Sequence, residues 1–267
     1  MIKINDIKIE QNKFPDNSLF MRLNPWDIDQ LTDTIRFEWY YESDSELFTL
    51  ICAKRHMEQC FTKHIYSLYL PYCPHARMDR VKSPEDVFTL KYFCEVINSL
   101  KFDYVLVEDP HSNVCTALLN NVEERNPKAN VDKVIKMIND DSLTLFFPDA
   151  GAMKRYSSLF DLPFTYGEKT RDWATGAISN LEIKNPELVK DNAVLIVDDI
   201  CSYGGTFTRA AKALHEAGAS AIYLYVTHCE DNIHNGNIFK DGYIDSVYTT
   251  NSIYTGKNDN SGGVIVL

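Results

Sequence analysis

No run of lysine and arginine, no CxxC pair and no long apolar stretch occurs in these 267 residues. Each absence removes a class of function. Non-specific nucleic-acid binding needs a basic footprint, whereas the formal net charge here is -11. An anionic ligand must therefore be held by local cations or a metal, against the overall field. The seven cysteines, Cys52, Cys60, Cys73, Cys94, Cys115, Cys201 and Cys229, are odd in number and scattered. That pattern suits reduced thiols in a cytoplasm, packed as small hydrophobes, better than a disulfide framework or a zinc site. No stretch approaches the ~18 apolar residues of a membrane span. The start, MIKINDIKIEQNKF, alternates charge and apolarity, unlike a signal peptide. GxxxxGK[ST] and GxGxxG are both missing, which sets aside a P-loop and the dinucleotide fingerprint.

What is present reads as a globular protein with 45% hydrophobic and 24% charged residues, long enough for one large or two modest domains. Runs rich in Val, Ile, Leu, Phe and Tyr at 65–72, 103–109, 142–149, 193–199, 221–228 and 246–252 predict strands. Their continuity is that of parallel strands covered on both faces. Segments 85–100 and 204–217 carry apolar residues at helical spacing, the second through Phe207, Ala210, Ala211 and Leu214. Strands alternating with helices predict an α/β fold. The first 40 residues differ, and are expected to form a hairpin of 3–10 with 18–24 before a strand at TIRFEWY. A linker near 140 would divide the chain into domains 1–140 and 141–267. The tail GKNDNSGG is expected to be a loop before a last strand, GVIVL.

The sharpest feature is NAVLIVDDICSYGGTFTRAAKAL, residues 192–214. An apolar strand ends in Asp198 and Asp199, and a loop with Gly204, Gly205 and Thr206 leads into an amphipathic helix. Ligands of open α/β sheets bind at such strand ends. Glycines let amides approach a phosphate, and the helix start adds its own amides and dipole. Two carboxylates repel phosphate, so they suit vicinal ribose hydroxyls or a shared magnesium ion. The plainer alternative is a strand–loop–helix turn whose aspartates merely cap the helix.

VLIVDDICSYGGT resembles the loop that binds phosphoribosyl pyrophosphate (PRPP) in phosphoribosyltransferases and ribose-phosphate diphosphokinases. Four further segments resemble the diphosphokinases, in that family's order: LYLPYCPHARMDR (68–80), VEDPHSN (107–113), FFPDAGAMKR (146–155) and EKTRDW (168–173). The resemblance spans roughly residues 44–255. It implies two doubly wound phosphoribosyltransferase-like domains with mainly parallel sheets, and transfer of pyrophosphate from Mg-ATP to the anomeric hydroxyl of a ribose 5-phosphate unit. It further implies that Arg77, Asp79 and His111 hold ATP, that Asp109, His111 and Asp149 lie at Mg2+, and that Lys169 and Arg171 are the mobile catalytic cations. Asp198 and Asp199 would hold the ribose hydroxyls, and Ser202, Tyr203, Gly204, Gly205 and Thr206 the 5-phosphate. A homo-oligomer, a dimer or higher, is implied as well. Surface ion pairing of Arg77 with Asp79, a structural His111, and exposed hairpin positions for Lys169 and Arg171 are the ordinary alternatives.

Departures from the family pattern are informative. KFPDNSLFMRL (13–23) is similar to the family's adenine-contacting hairpin through Phe14 and Asp16, but Ser18 stands where glutamate is expected. Met78 replaces a glutamine, and Ser202-Tyr203-Gly204 stands where diphosphokinases carry Asp-Thr-Cys or similar. An aromatic ring at Tyr203 raises ADP-ribose as an alternative acceptor, in a pathway that rebuilds NAD. A PRPP-consuming phosphoribosyltransferase shares the 198–206 loop but has no need of Arg77, His111 or the Lys169–Arg171 pair. A non-catalytic regulatory homologue is opposed by retention of both of those cations.

Overall fold

The computed structural model describes residues 1–28, 33–171, 178–256 and 263–267, with the backbone course alone for 169–171 and 178–180. The chain packs as two compact units, Met1–Asn126 and Pro127–Leu267.

The first unit contains β1 (Ile2–Ile4), β2 (Ile7–Lys8), β3 (Asn12–Lys13), β4 (Leu19–Phe20), β5 (Thr34–Trp39), α1 (Ser45–Cys60), β6 (Ile65–Leu70), α2 (Thr89–Ser99), β7 (Tyr104–Glu108), α3 (Asn113–Leu118) and β8 (Val122–Arg125). Its sheet runs β2-β1-β5-β6-β7-β8, parallel from β5 to β8 and antiparallel at β1 and β2. Ile35, Phe37 and Trp39 alternate into one core with Leu68, Leu70, Val105 and Val107, and α1 and α2 supply Leu50, Met57, Phe93 and Ile97 to it. Most intervening side chains are polar, with Leu106 an exception. Arg36 pairs with Glu38 at 2.8 Å, and the Tyr69 hydroxyl donates to Glu108. This alternation follows from a strand pleat with one face on the helices.

The single N-terminal hairpin expected for 3–10 with 18–24 is instead two hairpins. β1 pairs with β2 through Ile4 and Ile7, across a two-residue turn in which Asn5 and Asp6 both have positive φ (44° and 68°). That is the backbone of the tight hairpin turn favoured by Asn and Asp, and it closes the first ribbon at once. β3 and β4 then form a separate ribbon, with Asn12 opposite Phe20 and Lys13 opposite Leu19.

The second unit contains α4 (Lys128–Ile138), β9 (Thr144–Phe147), α5 (Ala150–Tyr156), β10 (Phe164–Arg171), β11 (Ile178–Ile183), β12 (Ala193–Cys201), α6 (Gly205–Glu216), β13 (Ala221–Cys229), α7 (Ile238–Asp241), β14 (Ser246–Thr249) and β15 (Val264–Val266). The sheet order is β11-β10-β9-β12-β13-β14-β15, and only β10 with β11 is antiparallel among its pairs. Both faces are covered. Val194, Ile196 and Leu224 pack with Phe207, Ala211 and Leu214 of α6 on one side. Leu145, Leu195 and Val197 pack with Val131, Val134 and Ala152 of α4 and α5 on the other. Burial on two sides is why 193–197 reads as an unbroken apolar run. The residues near 140 join α4 to β9, and α4 buries Val131 and Val134 in this second core, so the chain passes between units at Asn126–Pro127.

From β9 the chain adds β10 on one side, then returns to place β12 on the other. The strand order therefore reverses between β9 and β12. Crevices at such reversals, beyond the carboxyl ends of the strands, are where open α/β sheets take ligands.

Candidate active site

The reversal point of the second unit gathers three carboxylates. β9 leads into Asp149, whose Oδ1 accepts from the Gly151 and Ala152 amides at 2.9 and 3.1 Å and caps α5. β12 carries Asp198 and the buried Asp199, and the Asp199 amide donates to Asp198 Oδ1 at 3.0 Å. Burial raises the Asp198 carboxyl above the usual carboxylate range, and the charges of Asp199 and Asp149 add to the effect. Arg155 of α5 places Nη1 3.8 Å from Asp199 Oδ2, a long-range counterweight on one of the pair. Arg155 lay within a segment singled out in the sequence but was given no role there.

The loop after β12 is shaped by two glycines. Gly204 has φ +76°, and a Cβ on it would lie 2.1 Å from Ile238 Cδ1. A Cβ on Gly236 would lie 1.9 Å from the Tyr203 carbonyl oxygen, so that glycine, absent from the sequence reading, lets a second segment close against the loop. Gly204 is the N-cap of α6 and offers no side-chain cap. The first-turn amides of α6, from Gly205 onward, thus keep the donors that a capping side chain would otherwise take. The N-cap position of α6 is thus held by a glycine and not by either aspartate. Ser202 donates its hydroxyl proton to Glu230 at 2.6 Å, and the Tyr203 side chain is 57% exposed. Behind the loop, Thr250 and Ser252 hydroxyls donate to the Thr227 carbonyl at 2.8 and 3.1 Å, bracing the end of β13.

In the first unit, β6 and β7 are parallel neighbours, so the segments following their carboxyl ends emerge side by side. The structure brings Asp79 and His111 together there. Asp79 is buried, Arg80 holds it at 2.7 Å, and its carboxyl lies below the usual range because of Arg80 first, then Ser112 and the charge of His111. Arg77 and Met78 are exposed, and His111 is partly buried. Asp109 is completely buried and has φ +38°; His75, in the other segment, has φ +63°. Such backbone strain is concentrated at ligand sites. Phe14 lies on the β3–β4 ribbon, 50% exposed with its ring 5.0 Å from that of Phe20. Asp16 accepts from the Ser18 hydroxyl and amide at 2.6 and 2.9 Å, which lowers its pKa. Ser18 thus belongs to the turn. Lys169 and Arg171 lie on the last positions of β10, opposite β11, and their side chains fall outside the described residues.

Among the described residues no group of three or more His, Cys, Asp and Glu side chains is placed to hold a metal ion by itself. The carboxylates present fit Mg2+ of another kind. Magnesium is typically held by one or two carboxylates together with substrate phosphates, and the carboxylate of Asp149 is a hard donor of that type.

Residues 150–255 match the phosphoribosyl transferase domain family. The ribose-phosphate pyrophosphokinase of Saccharolobus solfataricus is 25% identical over 232 residues, covering 85% of this chain and 78% of that protein. That of Sulfurisphaera tokodaii is 27% identical over 261 residues, covering 95% and 87%. The chain is thus similar to ribose-phosphate pyrophosphokinases over most of its length. Its fold agrees with that of a phosphoribosylpyrophosphate synthetase from Mycobacterium smegmatis, with a TM-score of 0.78 at 17% identity over 98% of this chain and 87% of the other. The similarity in sequence and in fold thus runs through both units, well beyond the domain matched at 150–255. No described helix is long and apolar enough to cross a membrane.

Two substitutions test the geometry. Gly204→Ala should destabilise the protein by at least about 1–3 kcal/mol in a urea melt, through its positive φ and the contact with Ile238; an unchanged midpoint would contradict the loop. Asp198→Asn should raise Tm at neutral pH. The raised folded-state pKa means that the native state binds the extra proton, so wild-type stability falls as pH rises through that pKa, and the variant should flatten this slope. A lower Tm would show that the two carboxylates do not oppose each other.

Proposed function

We propose that this chain is a ribose-phosphate diphosphokinase, which transfers pyrophosphate from Mg-ATP to ribose 5-phosphate and yields PRPP and AMP. The observation that carries this reading is the pairing of Asp198 and Asp199 with the uncapped start of α6 at the strand reversal. Acceptors for hydroxyls stand beside donors for a phosphate, and a phosphorylated pentose has both.

In this reading the anomeric hydroxyl oxygen of the pentose attacks the β-phosphorus of ATP. The bond from that phosphorus to the α,β-bridging oxygen breaks, AMP departs with the electron pair, and the hydroxyl proton is lost to solvent or a nearby base. No covalent enzyme intermediate is needed, so catalysis consists of positioning and charge neutralisation. Asp198 and Asp199 orient the ribose hydroxyls, and the amides from Gly204 to Thr206 receive the 5-phosphate. Phe14, Asp16, Arg77, Asp79 and His111 bind ATP. Asp149, and Asp109 with His111, would hold Mg2+, which would supply neutralisation of phosphate charge. Lys169 and Arg171 stabilise the charge that develops on the transferred group. The protein works in the cytoplasm as a homo-oligomer.

Agreement with diphosphokinases across both units favours this reaction over a PRPP-consuming transferase, whose loop alone would suffice. The Lys169–Arg171 pair argues against a regulatory homologue. ADP-ribose, in NAD metabolism, is the alternative acceptor, and one observation bears on it: the ring of Tyr203 is exposed beside the phosphate loop, and exposed aromatic rings stack on nucleobases.

The test is incubation with Mg-ATP and each acceptor. Stoichiometric AMP and a 1-pyrophosphorylated sugar are expected with ribose 5-phosphate; AMP with ADP-ribose alone would transfer the activity to the second acceptor, and AMP with neither would end the proposal. Lys169→Ala should lower kcat by about 10²–10³-fold with an unchanged circular dichroism spectrum. Near-normal turnover would remove Lys169 from the catalytic role.

A further inference from the structure

One cation at the phosphate loop has no part in the scheme above. Arg209 lies in the second turn of α6, four residues after Gly205. Helical side chains lean towards the helix start and meet the residue four positions earlier. Arg209 does so: its Nη1 lies 3.8 Å from the point that a Cβ on Gly205 would occupy. No other side chain beyond its chain neighbours comes within 4 Å of that point, so the guanidinium lies on the exposed side of Gly205, at the first turn of α6.

This placement gains nothing from the helix itself. A helix start carries partial positive charge and favours anions, while cations belong at the other end. Among the described residues Arg209 makes no ion pair and no hydrogen bond that would compensate. A carboxylate could have been placed there; the chain has 38 acidic residues against 27 basic ones. A guanidinium over an uncapped helix start becomes favourable once an anion lies between them.

The loop is also short of hydroxyl donors. Ser202 has one hydroxyl proton and gives it to Glu230. Gly204 and Gly205 have none, which leaves Thr206 and the exposed phenol of Tyr203. A planar guanidinium supplies two parallel N–H donors to phosphate oxygens, the capacity that the loop hydroxyls lack.

We propose that Arg209 is a specificity-determining residue that completes the cradle for the 5-phosphate of the pentose acceptor. The inference rests on the diphosphokinase reading for its substrate, but it is separable by experiment. Ribose 5-phosphate binding is measured by calorimetry without ATP, and AMP formation by steady-state kinetics, for the wild type, Arg209→Gln and Arg209→Lys. Arg209→Gln retains helix propensity and should weaken ribose 5-phosphate binding and raise its KM by about 10–100-fold, the range of a hydrogen-bonded charge. KM for ATP and the thermal melt should stay at wild-type values. Arg209→Lys should recover part of the loss, since a point charge replaces the fork. Unchanged ribose 5-phosphate affinity in Arg209→Gln overturns the proposal, and so does an equal rise in KM for both substrates. A wild type that binds ribose 5-phosphate through Arg209 yet forms no AMP would sustain this inference and overturn the diphosphokinase reading. A wild type that binds none would overturn both.

Discussion

At the strand reversal of the second unit, helix-start donors without a side-chain cap and crowded carboxylate acceptors are held apart by backbone geometry. The start of α6 presents amides without a side-chain cap, while Asp198 is crowded by Asp199 and Asp149. Were the two sets free to meet, an aspartate would cap the helix and both would be quenched, which is the usual fate of such residues. Here the aspartates are on the rigid strand β12, and Gly204 starts the helix with its left-handed backbone. The remaining electrostatic cost falls to whatever binds. A ligand with hydroxyls at one end and phosphate at the other relieves both sides at once.

The first unit handles its charges differently. Asp79 is matched by Arg80 and kept readily ionised, and the polar side chains of its sheet pair among themselves through Arg36 with Glu38 and Tyr69 with Glu108. The strain lies in the backbone, at His75 and Asp109, in the two segments that leave adjacent parallel strands. The second unit thus carries a charge imbalance at its strand ends, and the first carries left-handed residues at the corresponding place. Both are recognised means of pre-organising a site.

Much of this was legible in the sequence because the second sheet is buried on both faces. The unbroken run at 193–197 and the helical spacing of Phe207, Ala210, Ala211 and Leu214 follow directly from that burial. Legibility failed where structure depends on a few backbone angles or on distant partners. Asn5 and Asp6 form a two-residue turn with no glycine to mark it, so two ribbons read as one. Gly236 is far from the loop in sequence, and only the folded chain brings it against the Tyr203 carbonyl. Asp198 and Asp199 were legible as a pair, but their opposition to Asp149 needed the β9–β12 adjacency, which periodicity cannot supply.

The same division explains why the loop tolerates unusual residues. Its shape is set by the φ of Gly204, by the closeness of Gly236 and Ile238, and by the amides of α6. None of these depends on the side chains at 202 and 203. Ser202 is therefore free to serve Glu230, and Tyr203 to face outward, without loss of the amide cradle. Side-chain donors can then be supplied from elsewhere on the same helix, because residues four apart share a face. Recognition of phosphate by backbone sets what class of molecule enters, and the side chains around that backbone are left to decide which member of the class is preferred.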